Sequence, residues 1–299
     1  NLGNETVTIT DTSVAATVLS TLDGNTTGTV NANTLNTITG TAAEVLIAYA
    51  SSGISNLGTE NVTLSGTVSV ADLTTIQAKS GNDYQLTPAS NGTYTSTGDI
   101  SGREVSGATI IEGDVATLLT LKGYTYCNVN ITDTSVSAVD IVTLENMVGP
   151  NVSLSNVSTI TSTVAAISAV NTLYSGSSDD VTNKGSQAIT ITDGSITSTQ
   201  ANAIDGYTSG VVTATISTTA IADLDDLTGT GNAYTITVGD SSVTAAALNT
   251  VDAATTVAVT ATAVTTITGA ASAVNTALSA SGINGLGEEF VTLTGSTSV

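Results

Sequence analysis

The chain carries the stretch VTITDTSVAATVLSTLD at residues 7–23, and related stretches return at residues 128–145, 188–205 and 234–252. The stretch predicts a short strand at residues 7–10, a turn, and a helix over residues 14–22 with Val14, Leu19 and Leu22 as its apolar stripe. In every copy a Val or Ile is followed nine positions later by an acid, in the pairs Val14/Asp23, Val136/Glu145, Ile196/Asp205 and Val243/Asp252. The sequence therefore contains an internal repeat.

The clearest match within the chain aligns residues 14–70 with residues 243–299 without gaps, at a constant offset of 229. A pair of units spans 56 residues, which makes one unit roughly 28 residues long. That period is typical of solenoids with one strand and one helix per coil. We therefore predict an α/β repeat solenoid with a parallel sheet and a leucine-rich-repeat-like architecture. An all-β parallel β-helix is the alternative, but Ala-rich second halves and the capping box at Thr41 and Glu44 favour helices.

The domain organisation follows from the repeat, since a solenoid extends one continuous core. We predict that residues 1–299 form one continuous solenoid segment of a longer protein, because the chain begins in mid-repeat. Residues 83–106 interrupt the pattern with Pro88 and the only Arg, and we expect an irregular repeat or surface loop there. Such a loop either carries specific contacts or is a tolerated insertion.

Charge and composition limit the partners of the chain. Four basic residues stand against 25 acids, for a net charge of −21. This charge argues against nucleic acid and against anionic membrane surfaces as partners. No apolar run approaches the roughly 20 residues of a membrane-spanning helix, so we expect no membrane insertion in this segment. Cys127 is the only cysteine, and we expect it to be a buried apolar thiol.

Residues suited to catalysis are scarce. The chain has no His, which excludes Ser-His-Asp and Cys-His arrangements and zinc sites with imidazole ligands. Paired carboxylates occur at residues 179–180 and 225–226, but neither pair has a basic or aromatic neighbour to bind a sugar. We therefore predict that the protein is not an enzyme and has no catalytic residues.

Four aspartates occupy the equivalent turn between strand and helix, namely Asp11, Asp133, Asp193 and Asp240. Stacked coils would place them in a row with a spacing of about 5 Å, and a row of carboxylates can bind calcium. Calcium is the one cofactor that the sequence suggests. The competing interpretation, which we favour, is that each Asp caps the helix that follows it.

Threonine alternates with apolar residues along the predicted strands. In residues 7–10 the alternation turns Val7 and Ile9 inward and Thr8 and Thr10 outward. The pairs Thr190/Thr192, Thr235/Thr237 and Thr292/Thr294 repeat the pattern. A stacked array of this kind resembles the surfaces of ice-binding solenoids, although Thr is also a common residue on any solvated strand.

Three longer stretches carry a resemblance to a known class of protein: ITDTSVSAVDIVTLE, VTAAALNTVDAATT and ITGAASAVNTALSASGINGLGEEFVTLTG. They resemble the Thr/Ser/Ala-rich tandem repeats of very long secreted proteins of marine bacteria, notably picocyanobacteria. The resemblance implies an extracellular or cell-surface location and a role in a fibre, a surface layer or an adhesin stalk. The implied partners are copies of the chain, further repeats of the same chain, or a cell-surface glycan. A binding module for ice, glycan or a cell surface and a viral tail fibre are the alternative functions.

Overall fold

The computed structural model describes residues 2–81, 110–120, 128–148, 151–175 and 181–295, together with the strands at residues 86–88, 94–96 and 105–106. The sequence predictions for Cys127, for residues 179–180 and for most of residues 83–106 fall outside these residues. The chain forms two compact bodies. The first comprises residues 1–133, 140–156 and 178–183, and the second comprises residues 134–139, 157–177 and 184–299.

Ten α-helices and one short 3₁₀ helix lie within the described residues. The α-helices are α1 (Ala16–Asn25), α2 (Ala42–Ala50), α3 (Val70–Ser80), α4 (Val115–Leu118), α5 (Ala138–Val148), α6 (Ile167–Ser175), α7 (Ser198–Asp205), α8 (Ile221–Leu224), α9 (Ala245–Ala253) and α10 (Ala271–Ser279). The 3₁₀ helix, Val164–Ala166, leads directly into α6. Among the described residues, none of these helices combines the length and apolar character needed to cross a lipid bilayer.

Short strands separate the helices. In chain order the first twelve are β1 (Val7–Thr8), β2 (Ser13–Ala15), β3 (Val30–Asn31), β4 (Thr37–Gly40), β5 (Ile54–Ser55), β6 (Asn61–Leu64), β7 (Thr67–Ser69), β8 (Leu86–Pro88), β9 (Tyr94–Ser96), β10 (Val105–Ser106), β11 (Ile110–Gly113) and β12 (Val129–Ile131). The next twelve are β13 (Ser135–Ser137), β14 (Val152–Ser153), β15 (Thr159–Ser162), β16 (Val181–Thr182), β17 (Ala188–Ile191), β18 (Val212–Thr215), β19 (Ala233–Thr235), β20 (Ser242–Thr244), β21 (Val259–Thr260), β22 (Thr266–Gly269), β23 (Ile283–Asn284) and β24 (Phe290–Leu293).

Parallel sheets dominate both bodies. The first body contains sheets of order β1-β3-β5, β10-β6-β4-β2 and β16-β14-β12-β11-β7, and the second contains β13-β15-β17-β18-β19, β20-β22-β24 and β21-β23. Only the β8–β9 pair among the described strands is antiparallel. The fold is therefore α/β, with several parallel sheets and alternating strand–helix repeats. The all-β alternative is wrong, because helices follow the strands throughout both bodies.

The repeats over residues 13–64 are shorter than the sequence predicts, and they contain two strands for each helix. Ser13 pairs with Thr37 and Thr37 pairs with Asn61, so neighbouring repeats are 24 residues apart there, whereas the paired residues Thr159 and Ala188 are 29 residues apart. β1 and β2 precede α1, just as β3 and β4 precede α2. The predicted helix over residues 14–22 in fact begins at Ala16, because Val14 pairs with Ile38 in the parallel ladder. A β-branched side chain suits that strand position.

Side chains cap the N-termini of α2 and α3, and the predicted capping box of α2 is confirmed. The Thr41 hydroxyl accepts the Glu44 amide, and the Glu44 carboxylate accepts the Thr41 amide at 2.8 Å, which completes the predicted capping box of α2. The Ser69 hydroxyl accepts the Asp72 amide at 3.0 Å at the start of α3. α3 then ends at Gly81, whose φ of 71° is a left-handed conformation that favours glycine.

Three of the four acids that recur nine positions after Val or Ile lie against a glycine of the next repeat. Asp23 approaches Gly53, Asp252 approaches Gly282, and a Cβ atom at either glycine would collide with the carboxylate. Asp205 lies against Gly229 in the same way. The Asp23 carboxylate is held there by the Ser51 hydroxyl at 2.7 Å. The spacing noted in the sequence therefore reflects a contact between neighbouring repeats.

Substituting one of these glycines tests the contact. We expect Gly53→Ala to lower the free energy of unfolding by about 1–3 kcal/mol, because the new methyl group displaces a hydrogen-bonded carboxylate. Gly24→Ala is the matched control, since nothing lies within 4 Å of a Cβ atom there and α1 gains a better helix former. Urea titration measures both variants, and equal effects would contradict the proposed contact.

Candidate functional site

Three of the four aspartates proposed as a metal row cap helices. Each carboxylate accepts the first backbone amide of a helix: Asp133 from Val115 at 2.7 Å, Asp193 from Val164 at 2.7 Å, and Asp240 from Ile221 at 2.6 Å. These helices are α4, the 3₁₀ helix at residues 164–166, and α8. The sequence analysis predicted that each aspartate caps the helix that follows it in the chain. That prediction is wrong, because each of the three aspartates caps a helix that precedes it.

The direction of capping has a geometric cause. An aspartate that follows one strand lies beside the end of the neighbouring parallel strand, and that neighbouring strand leads into the earlier helix. Asp240, for example, follows β19, which pairs with β18 ahead of α8. Thr218 occupies the same position in another repeat and accepts the Ser198 amide at 3.1 Å. A threonine hydroxyl therefore accepts the first helix amide as an aspartate carboxylate does. This position of the repeat requires a hydrogen-bond acceptor.

Asp11 and the spacing between the aspartates depart from the sequence prediction. Asp11 is exposed, and residues 2–10 contain no helix that it could cap. Asp193 and Asp240 follow β17 and β19, which lie on either side of β18, so their strands are about 10 Å apart and not 5 Å. Within the described residues, no group of three or more His, Cys, Asp or Glu side chains is arranged to hold a metal ion. Calcium binding at Asp11, Asp133, Asp193 and Asp240 stays a prediction.

A second set of acceptors, which the sequence did not assign, closes a turn before several strands. The buried Glu60 carboxylate accepts the Gly58 and Thr59 amides at 3.0 Å and the Tyr49 hydroxyl at 2.6 Å. Gln187 does the same for the Gly185 amide at 3.0 Å. Because a neutral amide serves as well as a carboxylate, the turn requires an oxygen acceptor and not a charge. The recurring Asn-Leu-Gly-x-Glu motif was the available signal.

Threonine hydroxyls join neighbouring repeats at the end of several helices. Thr26 donates to the Glu5 carbonyl at 2.6 Å, and its oxygen accepts the Gly28 amide at 2.9 Å. Thr255 donates to the Tyr234 carbonyl at 2.7 Å, and Thr208 makes the equivalent contact. All three follow an acid of the repeat by three positions. Sequence analysis missed them, because Thr is common everywhere in this chain.

An array of outward-facing threonines lies on one face of the strands β15, β17, β18 and β19 and on residues just after two of them. Thr161, Thr190 and Thr213 are direct neighbours on adjacent strands, and Thr215 pairs with Thr235. Their apolar neighbours on the same strands are buried, as the predicted alternation requires. The members of this threonine array, all exposed or half-buried, are Thr159, Thr161, Thr190, Thr192, Thr213, Thr215, Thr235 and Thr237.

The titratable side chains within residues 223–234 lie in two different environments. Asp225 and Asp226 are exposed, and the Asp226 carbonyl accepts the Asn202 side chain at 2.9 Å. Asp226 and Asp223 also line an open cleft of about 450 Å³ together with Thr197, Thr218 and neighbouring polar residues. Burial raises the pKa of the Tyr234 hydroxyl well above its usual value, and the nearby Asp205 charge adds to the effect. Tyr234 is therefore a neutral core side chain.

Comparison with known proteins finds no match among protein-family models, curated proteins or solved structures.

The capping role of the aspartates can be measured at a single amide. In Asp240→Ala we expect the Ile221 amide to exchange with solvent severalfold faster, because loss of a cap costs about 1 kcal/mol. Asp225→Ala is the control, because Asp225 is exposed at the opposite, C-terminal end of the same helix α8, and we expect the Ile221 amide to exchange at an unchanged rate there. Unchanged exchange at Ile221 in the first variant would contradict the assignment.

Proposed function

We propose that the chain is a structural repeat segment of an extracellular fibre, surface layer or adhesin stalk. In this proposal the repeats stack into one continuous solenoid of the leucine-rich-repeat type. The supporting observation is that the same contacts recur between neighbouring repeats: parallel strand pairing, the threonine hydroxyl bridge and the aspartate cap of the preceding helix. The protein has no catalytic role in this proposal.

Each of these contacts links one repeat to its neighbour. In such an arrangement the stability is approximately a sum of nearest-neighbour terms. A single net hydrogen bond contributes only about 1 kcal/mol, but each junction contains several of them together with buried Val, Ile and Leu. Length can then grow by adding repeats while each junction keeps the same rigidity. A fibre, a stalk and a viral tail fibre all need this property.

Charge and resemblance support an extracellular location. A net charge of −21 keeps copies soluble and suits a medium rich in cations that screen it. The Thr/Ser/Ala-rich repeats resemble those of very long secreted proteins of marine bacteria, notably picocyanobacteria. That resemblance implies a role in a fibre, a surface layer or an adhesin stalk.

Single-molecule stretching tests the structural role. We expect a monomer pulled from its ends to lengthen in a series of small steps of about 80 Å, the extended length of one 24-residue repeat. Steps of this size arise because each repeat is held only by its neighbours. Unfolding of each compact body in a single large step would contradict the proposal. Cryo-electron microscopy of the native material is the complementary measurement, and it should show these repeats within a filament or surface layer.

A second function is favoured by one observation, the exposed threonine array. Eight hydroxyl and methyl groups face outward at regular intervals, about 4.8 Å between strands and about 6.7 Å along them. A regular surface of this kind suits a binding module for ice, a glycan or a cell surface.

Inhibition of ice recrystallisation tests the second function in its simplest form. If the array binds ice, the chain inhibits recrystallisation and Thr213→Glu abolishes the effect, because a charged side chain interrupts the array between Thr190 and β19. Thr276→Glu, on the exposed face of α10, is the matched control and should leave the inhibition unchanged. No inhibition by the unaltered chain would remove ice from the candidates.

A further inference from the structure

The outward face of the strands β11, β12, β14 and β16 carries an open groove of about 450 Å³. All four strands belong to the first body, where they are neighbours in the order β16-β14-β12-β11. We call it the asparagine groove, and six of the side chains that line it are Ile110, Asn128, Asn130, Asn151, Ser153 and Thr182. Concave surfaces with a few convergent polar groups are common sites for small ligands.

Strand pairing places the outward side chains of the asparagine groove in two rows. The residues that pair at the centre of the four strands are at most 3% exposed, namely Ile111, Val129, Val152 and Val181. Because side chains alternate along a strand, the residues on either side of them face outward. The first row is Ile110, Asn128 and Asn151, and the second row is Glu112, Asn130, Ser153 and Thr182. Neighbours in a row are about 4.8 Å apart, so the second row is about 14 Å long.

Hydrogen bonds among the polar side chains of the second row hold them in place. The Ser155 hydroxyl donates to the Asn130 side-chain oxygen at 3.0 Å, and the Asn183 side-chain nitrogen donates to the Ser153 hydroxyl at 3.2 Å. The contact with Ser155 uses the oxygen of Asn130, and the side-chain nitrogen of Asn130 makes no hydrogen bond within the described residues. That nitrogen is therefore a positioned donor, and a ligand that meets it loses little additional entropy of ordering.

Asn151, in the first row, has an unusual backbone conformation. Its φ is 91°, in the left-handed region that favours glycine. Its carbonyl accepts the Val129 amide at 2.9 Å, while its side chain is exposed and makes no hydrogen bond in the part of the chain that the structure describes. A glycine would adopt the same backbone more easily, so the fold does not require an asparagine side chain at this position. The Asn151 amide is therefore available to a ligand.

The chemistry of the asparagine groove favours a neutral ligand that is rich in hydroxyl groups. The lining side chains carry no charge, although the chain contains 25 acids. An amide side chain donates and accepts hydrogen bonds, and a sugar hydroxyl does the same. Ile110, which is 37% exposed, provides an apolar surface for the C–H face of a sugar ring. Glu112 lies beside Asn130 in the second row and, together with the net charge of −21, disfavours an anionic ligand.

We propose that the asparagine groove binds a neutral oligosaccharide whose sugar rings lie across the strands, along the second row. Asn130 and Asn151 form hydrogen bonds with ring hydroxyls, and Ile110 packs against one of the rings. The inference goes beyond the proposed structural role and does not depend on it. It also assigns glycan binding to the first body, whereas the threonine array lies in the second.

Isothermal titration calorimetry on the unaltered chain is the first test. The probes are the neutral oligosaccharides cellohexaose, maltohexaose, laminarihexaose and mannohexaose, which together present extended and helical chain shapes, and hexagalacturonate is the anionic counterpart. We expect at least one neutral probe to bind with a dissociation constant below about 1 mM, the range that a few hydrogen bonds and one apolar contact can supply. Hexagalacturonate should bind at least about tenfold more weakly, because its carboxylates meet Glu112 and the negative field of the chain.

Two variants locate the binding site. Asn130→Asp keeps the oxygen that Ser155 contacts and replaces the donor with a second oxygen, and Asn151→Gly removes the amide while suiting the left-handed backbone. Each should weaken binding about tenfold, the effect of one lost hydrogen bond. Asn146→Asp makes the same charge change on α5, where the exposed Asn146 donates to the Val142 carbonyl of its own helix, and it should bind as tightly as the unaltered chain. Circular dichroism should show the same folded spectrum for all three variants.

Two results would overturn the proposal. One is the absence of binding to all four neutral probes at millimolar concentration. The other is binding that is equally tight in Asn130→Asp and Asn151→Gly, which would place the glycan on another surface such as the threonine array. Neither result affects the stretching experiment, which is carried out without a glycan, so failure of glycan binding is distinguishable from failure of the structural role.

Discussion

The structure depends on hydrogen bonds that one repeat cannot make alone. A regular repeat has two strands of two to four residues and one helix, and the backbone donors and acceptors of its strands pair with neighbouring repeats. Strands this short are unstable in isolation, and helices of about ten residues are marginal in water. Neighbouring repeats satisfy these groups through parallel pairing and through side chains that reach across the junction. The recurrence of Thr, Ser, Asn and Asp follows from that requirement.

Acidic residues illustrate how the chain uses polar groups as structure. Asp133, Asp193 and Asp240 accept helix amides, Glu60 accepts turn amides, and Asp23 accepts a serine hydroxyl beside a glycine. At two of these positions a neutral side chain replaces the acid elsewhere in the chain, as Thr218 and Gln187 show. These five acids therefore serve as hydrogen-bond acceptors within the fold.

Neighbouring repeats also share an apolar core. Ile38, Ile160 and Ile267 occupy the same position of a Thr-Ile strand motif in β4, β15 and β22, and all three are fully buried. Recurring contacts of this kind support the proposed structural role. The threonine array is different in kind, because it lies on an outward face that the described residues leave exposed or half-buried. A structural role and a binding role can therefore coexist on separate faces of the same sheets.

The sequence by itself determined the α/β class, the internal repeat, the outward threonines and the cap at Thr41. These features depend on alternation along a strand and on contacts three residues apart, so they can be recognised locally. Only the tertiary structure decided the register between repeats, the second strand of the regular repeats and the helix that each aspartate caps. Asp133, Asp193 and Asp240 lie 18 to 29 residues from the amides they accept, and Thr26 lies 21 residues from the Glu5 carbonyl. Such contacts exist only after one repeat has packed against the next, which is why the pattern of the sequence suggested a cap but not its partner.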